Sequence, residues 1–99
     1  MTALDPIIHA PARLQIAATL AHLPPGDSLT FTRLQKELSM TAGNLSTHVQ
    51  KLENAGYVEV TKTYERRTPV TYLSLSPTGR IALETYTRRM REILEKGSS

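Results

Sequence analysis

The chain has no cysteine among its 99 residues. That excludes disulfide staples, thiol redox sensing and cysteine metal clusters, and it fits a reducing compartment. No stretch approaches the roughly 20 apolar residues that a membrane helix needs. The N-terminus carries no basic-then-apolar leader pattern. A cytoplasmic protein with no membrane partner is the expectation. Repeats and low-complexity tracts are absent too. His9, His22 and His48 fall on separate predicted elements, so no histidine pair has metal-ligand spacing. His22, near the end of the first predicted helix, instead complements the helix dipole. There is no nucleophile elbow, phosphate loop or close carboxylate pair suited to acid–base work. No catalytic residue, metal ligand or cofactor is therefore expected.

What remains is a chain long enough for one domain with a modest core, spanning residues 1–99. The net charge is +3 and the pI near 9.5, which permits nucleic acid as a partner without requiring it. The arrangement of residues is more informative than the total. Between Leu38 and Val60, Leu45, Val49 and Leu52 recur at the spacing of one helix face, which is therefore buried. Thr41 can cap the start of this helix, and Gly56 can supply the left-handed residue that ends it. Its outward side offers Gly43, Asn44, Ser46, Thr47, Gln50 and Lys51. These are small or hydrogen-bonding side chains with one cation, a surface suited to close approach in a DNA major groove.

The flanking elements follow from similar signals. Leu4-Asp5-Pro6-Ile7-Ile8 reads as an apolar arm with a turn or helix start at Asp5-Pro6. A helix is predicted from about Ala10 to Leu23, with two apolar stripes: Leu14, Ala17, Ala18 and Ala21, and beside them Ile16, Leu20 and Leu23. A helix apolar around most of its circumference is buried on two sides, and one side is expected to meet a second subunit. Pro24-Pro25-Gly26-Asp27 stops it. Ser28-Leu29-Thr30 suggests a very short strand, and Thr30 or Thr32 caps a second helix with Phe31, Leu34 and Leu38 inward. After Gly56 the pattern alternates: Val58, Val60, Lys62 and Tyr64 share one strand face. Glu65-Arg66-Arg67-Thr68-Pro69 reads as a polar loop, and Val70 to Leu75 alternates again. Ser76-Pro77 opens a last helix of about Pro77 to Lys96, with Leu83, Tyr86, Met90 and Ile93 on a coiled-coil-like seam.

The fold class is therefore α+β, mainly α: a winged helix-turn-helix with a three-helix core, a β-hairpin wing and N- and C-terminal dimerisation helices. The helix-turn-helix covers about 30–56, the wing about 57–75 and the last helix about 77–96.

Three blocks in this order resemble small stand-alone winged-helix transcriptional regulators related to the MarR and ArsR families. The first runs from Leu4-Asp5-Pro6 to Arg13-Leu14. The second joins Phe31-Thr32-Arg33-Leu34-Gln35 to the stretch from Gly43-Asn44-Leu45 through Gly56-Tyr57-Val58, and the third is Leu75-Ser76-Pro77-Thr78-Gly79-Arg80. The resemblance implies a DNA-binding homodimer joined through its first and last helices. The cysteine clusters of ArsR-type metal sensors are missing.

Candidate sites follow. Asn44, Thr47, Gln50 and Lys51 are the base-reading candidates, since amides suit adenine and lysine suits guanine. Thr41 and Ser46 suit phosphate, and Gly43 contributes by being small. His48 is either a phosphate donor or a half-buried packing residue. Arg66 and Arg67 at the hairpin tip suit a flanking minor groove or backbone, with Lys62 and Arg33 as weaker phosphate candidates. Dimer contacts are expected at Leu4, Ile7, Ile8, Ile16, Leu20, Leu83, Tyr86, Met90 and Ile93. The leading reading is a sequence-specific regulator of transcription, a repressor, with double-stranded DNA and its own copy as partners. The rival is a winged-helix protein-interaction adaptor. An effector pocket near Ile7, Ile16, Tyr86 or Met90 is conceivable, but no convergent polar groups support it.

Overall fold

Three side-chain hydroxyls start helices in this chain. The computed structural model describes residues 3–97, in the order α1 (Pro11–Ala21), β1 (Leu29–Thr30), α2 (Phe31–Leu38), α3 (Ala42–Asn54), β2 (Val58–Glu65), β3 (Thr68–Leu75) and α4 (Pro77–Lys96). Thr30 Oγ1 accepts the Arg33 N–H at 3.1 Å, Thr41 Oγ1 the Asn44 N–H at 3.2 Å, and Ser76 Oγ the Gly79 N–H at 2.9 Å. Each cap satisfies a donor left orphaned by helix geometry and is worth about 1 kcal/mol. α1 has no side-chain cap but carries Pro11 in its first turn, where a missing N–H costs nothing. Between α2 and α3 the chain turns through Ser39 at φ 53°, and after α3 through Gly56 at φ 81°.

The sheet is antiparallel with strand order β1-β3-β2. Leu29 and Thr30 pair with Leu73 and Tyr72. β2 and β3 pair along their whole length, from Val58 opposite Leu75 to Glu65 opposite Thr68. The core gathers Ile16, Ala17 and Leu20 of α1, Leu34 of α2, Leu45, Val49 and Leu52 of α3, and Val58, Leu73 and Leu75 of the sheet. The inner faces of α2 and α3 are those that hydrophobic spacing predicts. Burying each such side chain contributes about 1.5–3 kcal/mol.

Two expectations, on the second α1 stripe and on the wing loop, are corrected. At Asp5-Pro6 the turn, one of the two readings, is what forms: the Asp5 carboxylate accepts the Ile7 N–H at 2.8 Å and the Ile8 N–H at 3.4 Å, folding the arm before α1. The second apolar stripe of α1 does not face a partner. Ile16 and Leu20 are 0 % exposed and Ile8 1 % within a single chain, so they have no surface left to bury against a second copy. The reason is position, because α1 touches α2, α3, α4 and β3 together. The polar loop at 65–69 is shorter than expected, since Tyr64 pairs with Pro69 and Glu65 with Thr68, leaving a two-residue turn at Arg66-Arg67. Arg80 of α4 is tied to the end of α1: its guanidinium donates to the carbonyls of Ala21 at 3.2 Å and Leu23 at 3.1 Å. A cation there complements the dipole at the end of α1.

Candidate nucleic-acid interface

α3 is held from behind by Leu45, Val49 and Leu52, all buried. Its opposite side is open: Gly43, Asn44, Ser46, Thr47, Gln50 and Lys51 are all exposed. The Asn44 and Gln50 amides and the Lys51 ammonium make no hydrogen bond to another described residue, so their groups are available to a partner. Thr47 differs, because its hydroxyl donates to the Gly43 carbonyl at 3.0 Å. That leaves Thr47 its methyl and lone pairs as contact groups. The Thr41 hydroxyl is engaged as the cap of α3. A Cβ built on Gly43 would meet nothing within 4 Å. The fold thus does not require glycine at this position, although glycine weakens a helix by about 0.5–1 kcal/mol relative to alanine.

Beside α3 lies an open groove of ≈ 420 Å³ whose rim includes Ser46, Gln50 and Glu53 of α3, Lys62 of β2 and Thr71 of β3. Lys62 and Thr71 are register partners, and both line the groove that the α3 residue Gln50 also lines. Glu53, not singled out by its sequence context, brings one carboxylate into this groove. Arg66 and Arg67 sit apart, at the tip of the hairpin, in a stretch exposed from Thr61 to Pro69. Both adopt the left-handed region, at φ 52° and 68°. Glu65 at the base of the turn accepts the Tyr72 hydroxyl. That bond, with the nearby negative charge, pushes the Tyr72 phenol above its ordinary range. Arg33 is paired with Glu37 at 3.0 Å on the surface of α2, an arrangement worth little but one that partly neutralises it.

His48 is half-buried, with Nδ1 3.3 Å from Arg13 Nη1 of α1. The end of α3 is fixed from the arm: the Tyr57 hydroxyl donates to Asp5 Oδ2 at 2.5 Å. This hydrogen bond first, then burial and the carboxylate charge, raise the Tyr57 phenol from 10.0 to about 12. A pKa raised in the folded state contributes stability that is complete below pH 10 and is lost as pH climbs towards about 12. Tyr57→Phe is expected to remove that alkaline component of stability, read from unfolding midpoints across this window. An ultraviolet titration should lose one late-forming phenolate in Tyr57→Phe. Neither Arg13 nor Asp5 is legible as part of this apparatus from spacing alone, because their partners lie far off in the chain.

No group of three or more side chains able to hold a metal ion occurs among the described residues. No helix among them is long and apolar enough to cross a membrane. Residues 12–94 match the family of the winged helix DNA-binding domain. The chain belongs to that family. This winged helix is 32% identical over 80 residues to an uncharacterized protein of Methanocaldococcus jannaschii, covering 81% of this chain and 84% of the relative. It superimposes on a transcriptional regulator homologue of Pyrococcus horikoshii with a TM-score of 0.82 at 28% identity, over 91% of this chain and 86% of that one. FabT of Streptococcus pneumoniae, solved in complex with DNA, matches with a TM-score of 0.59 at 27% identity, over 85% of this chain and 55% of FabT. The family and fold are those of transcriptional regulators that bind DNA.

Proposed function

We propose that this winged helix is a cytoplasmic, homodimeric repressor that recognises specific double-stranded DNA sequences. The helix-turn-helix at 30–56 inserts α3 into the major groove, the wing at 57–75 reaches the flanking minor groove or backbone, and the helix at 77–96 joins two copies. The observation that carries the reading is the wing tip. A two-residue hairpin turn of this hand is cheapest as Asn-Gly. Here it is Arg66-Arg67, both left-handed, which costs on the order of 1 kcal/mol or more per residue. Strain of that kind persists where function needs the side chain.

The dimer reading is supported by what α4 leaves uncovered. Leu94 is 73% exposed, and a groove of ≈ 320 Å³ between α1 and α4 is lined by Leu14, Tyr86, Met90 and Leu94. With Ile8, Ile16, Leu20 and Tyr86 buried within one chain, the candidate contacts that keep exposed surface are Leu4, Ile7, Leu83, Met90 and Ile93, and Leu94 joins them. Two-fold pairing would set two α3 helices about one turn of DNA apart.

The test begins with fluorescence anisotropy against random duplex at low salt, where measurable binding is expected and its absence sinks the reading. On a selected site, Asn44→Ala and Gln50→Ala should each relax preference at particular base pairs by about 1–3 kcal/mol. Equal losses on every duplex would instead assign these amides to the backbone.

A further inference from the structure

We infer that Arg13 is a positioning residue: it holds His48 in the tautomer that presents Nε2–H to a DNA phosphate. The inference rests on the DNA-binding reading above and names a further contact within it. Arg13 Nε donates to the Ile7 carbonyl at 2.6 Å, and Nη2 lies 3.5 Å from the Pro6 carbonyl, which fixes the guanidinium plane against the arm. Nη1 then reaches His48 Nδ1 at 3.3 Å. A guanidinium has donors only, so Nδ1 must accept, and the neutral ring carries its proton on Nε2. Nε2 bonds to no described residue. No buried side-chain nitrogen or oxygen among the described residues lacks a partner, so Nε2 reaches the surface. His48 lies four positions after Asn44 and three before Lys51 on α3, so the donor stands on the same side of the helix as these two base-reading candidates.

The charge balance favours an anion as its acceptor. Arg33–Glu37 is the ion pair present among the described residues, and Arg13 is held by carbonyls and an imidazole rather than by a carboxylate. A cation donating to Nδ1 polarises the ring and strengthens the Nε2–H as a donor. Contacts to phosphate place the protein without reading sequence.

Nitrogen NMR of the free protein should show His48 protonated at Nε2 and not at Nδ1, a preference that Arg13→Leu abolishes. His48→Leu should weaken binding about tenfold on every duplex, as expected for a hydrogen bond to a charged acceptor. Because a neutral ring releases no counterion, the salt slope should not change. His48→Gln, whose amide nitrogen can stand where Nε2 does, should restore most of the affinity. Arg13→Leu combined with His48→Leu should lose no more than His48→Leu alone. A wild-type ring protonated at Nδ1, or additive losses in the double variant, overturns the assignment of Arg13. Absence of duplex binding by the wild type overturns the DNA reading and the phosphate role with it, while the NMR result still decides the hold of Arg13 on His48.

Discussion

Gly79→Ala is expected to destabilise the fold by about 3 kcal/mol, towards or beyond the upper end of ordinary overpacking. Gly79 is buried in the first turn of α4, and a Cβ there would lie 2.2 Å from the Tyr57 carbonyl oxygen and 2.9 Å from Leu75 Cδ1. The first of these is backbone, and it cannot swing aside. The Tyr57 oxygen already accepts the Ser76 N–H at 2.9 Å. Ser76 Oγ donates to the Gly56 carbonyl at 2.5 Å while capping α4 through the Gly79 N–H. The turn after α3 and the start of α4 are thus tied together around this one missing side chain. Relief requires α4 to lift from the start of β2, breaking these bonds. Urea unfolding should show a lower midpoint at unchanged slope. Gly43→Ala is the contrasting case, since its Cβ would meet nothing within 4 Å, and it should gain about 0.5–1 kcal/mol. Equal stability of Gly79→Ala and wild type would contradict the packing of α4 described above.

Reversing the wing charges with Arg66→Glu and Arg67→Glu should lower DNA affinity at least about tenfold and flatten the salt dependence by roughly 0.9 for each phosphate that is no longer neutralised. The loss should be uniform across duplexes, because backbone contacts carry no sequence information directly. Charge reversal alone does not separate a lost DNA contact from a disturbed wing. The turn geometry supplies the separation. Both positions are left-handed, so Arg66→Asn with Arg67→Gly should relieve strain and stabilise the fold by about 1 kcal/mol or more. The same pair should weaken binding. A variant that is more stable yet binds less tightly assigns the arginines to DNA; one that is more stable and binds equally well returns them to an ordinary solvated turn.

Sequence reasoning reaches furthest where the signals are local. Thr41, Gly56, Ser76 and Pro77 mark helix boundaries through bonds made within a few residues, and α3 ends where those residues direct. It fails where burial depends on what arrives from elsewhere. The Ile16 and Leu20 stripe looks the same in a sequence whether a partner subunit or the protein's own α3 and β3 cover it. The wing turn was obscured by Pro69, which argues against regular pairing; β1 reaches only Leu73 and Tyr72, so Pro69 lies where β3 has a single neighbour and a missing N–H is tolerated. Arg13 and Arg80 are legible only after folding, since their partners are backbone carbonyls and a histidine that the chain brings near from other elements. The polar face of α3 was legible because helical periodicity separates it cleanly from Leu45, Val49 and Leu52. The placement of Glu53 in the groove was not, because it depends on where β2 lies.

In the proposed function two copies of α3 read DNA together. Selection of bound duplexes from a random pool by the full chain tests it most directly. The expected result is enrichment of an inverted repeat whose half-sites lie about one helical turn apart, with preference at the repeat lost in Asn44→Ala and Gln50→Ala. No enrichment over the starting pool, or enrichment that survives both substitutions unchanged, would contradict it.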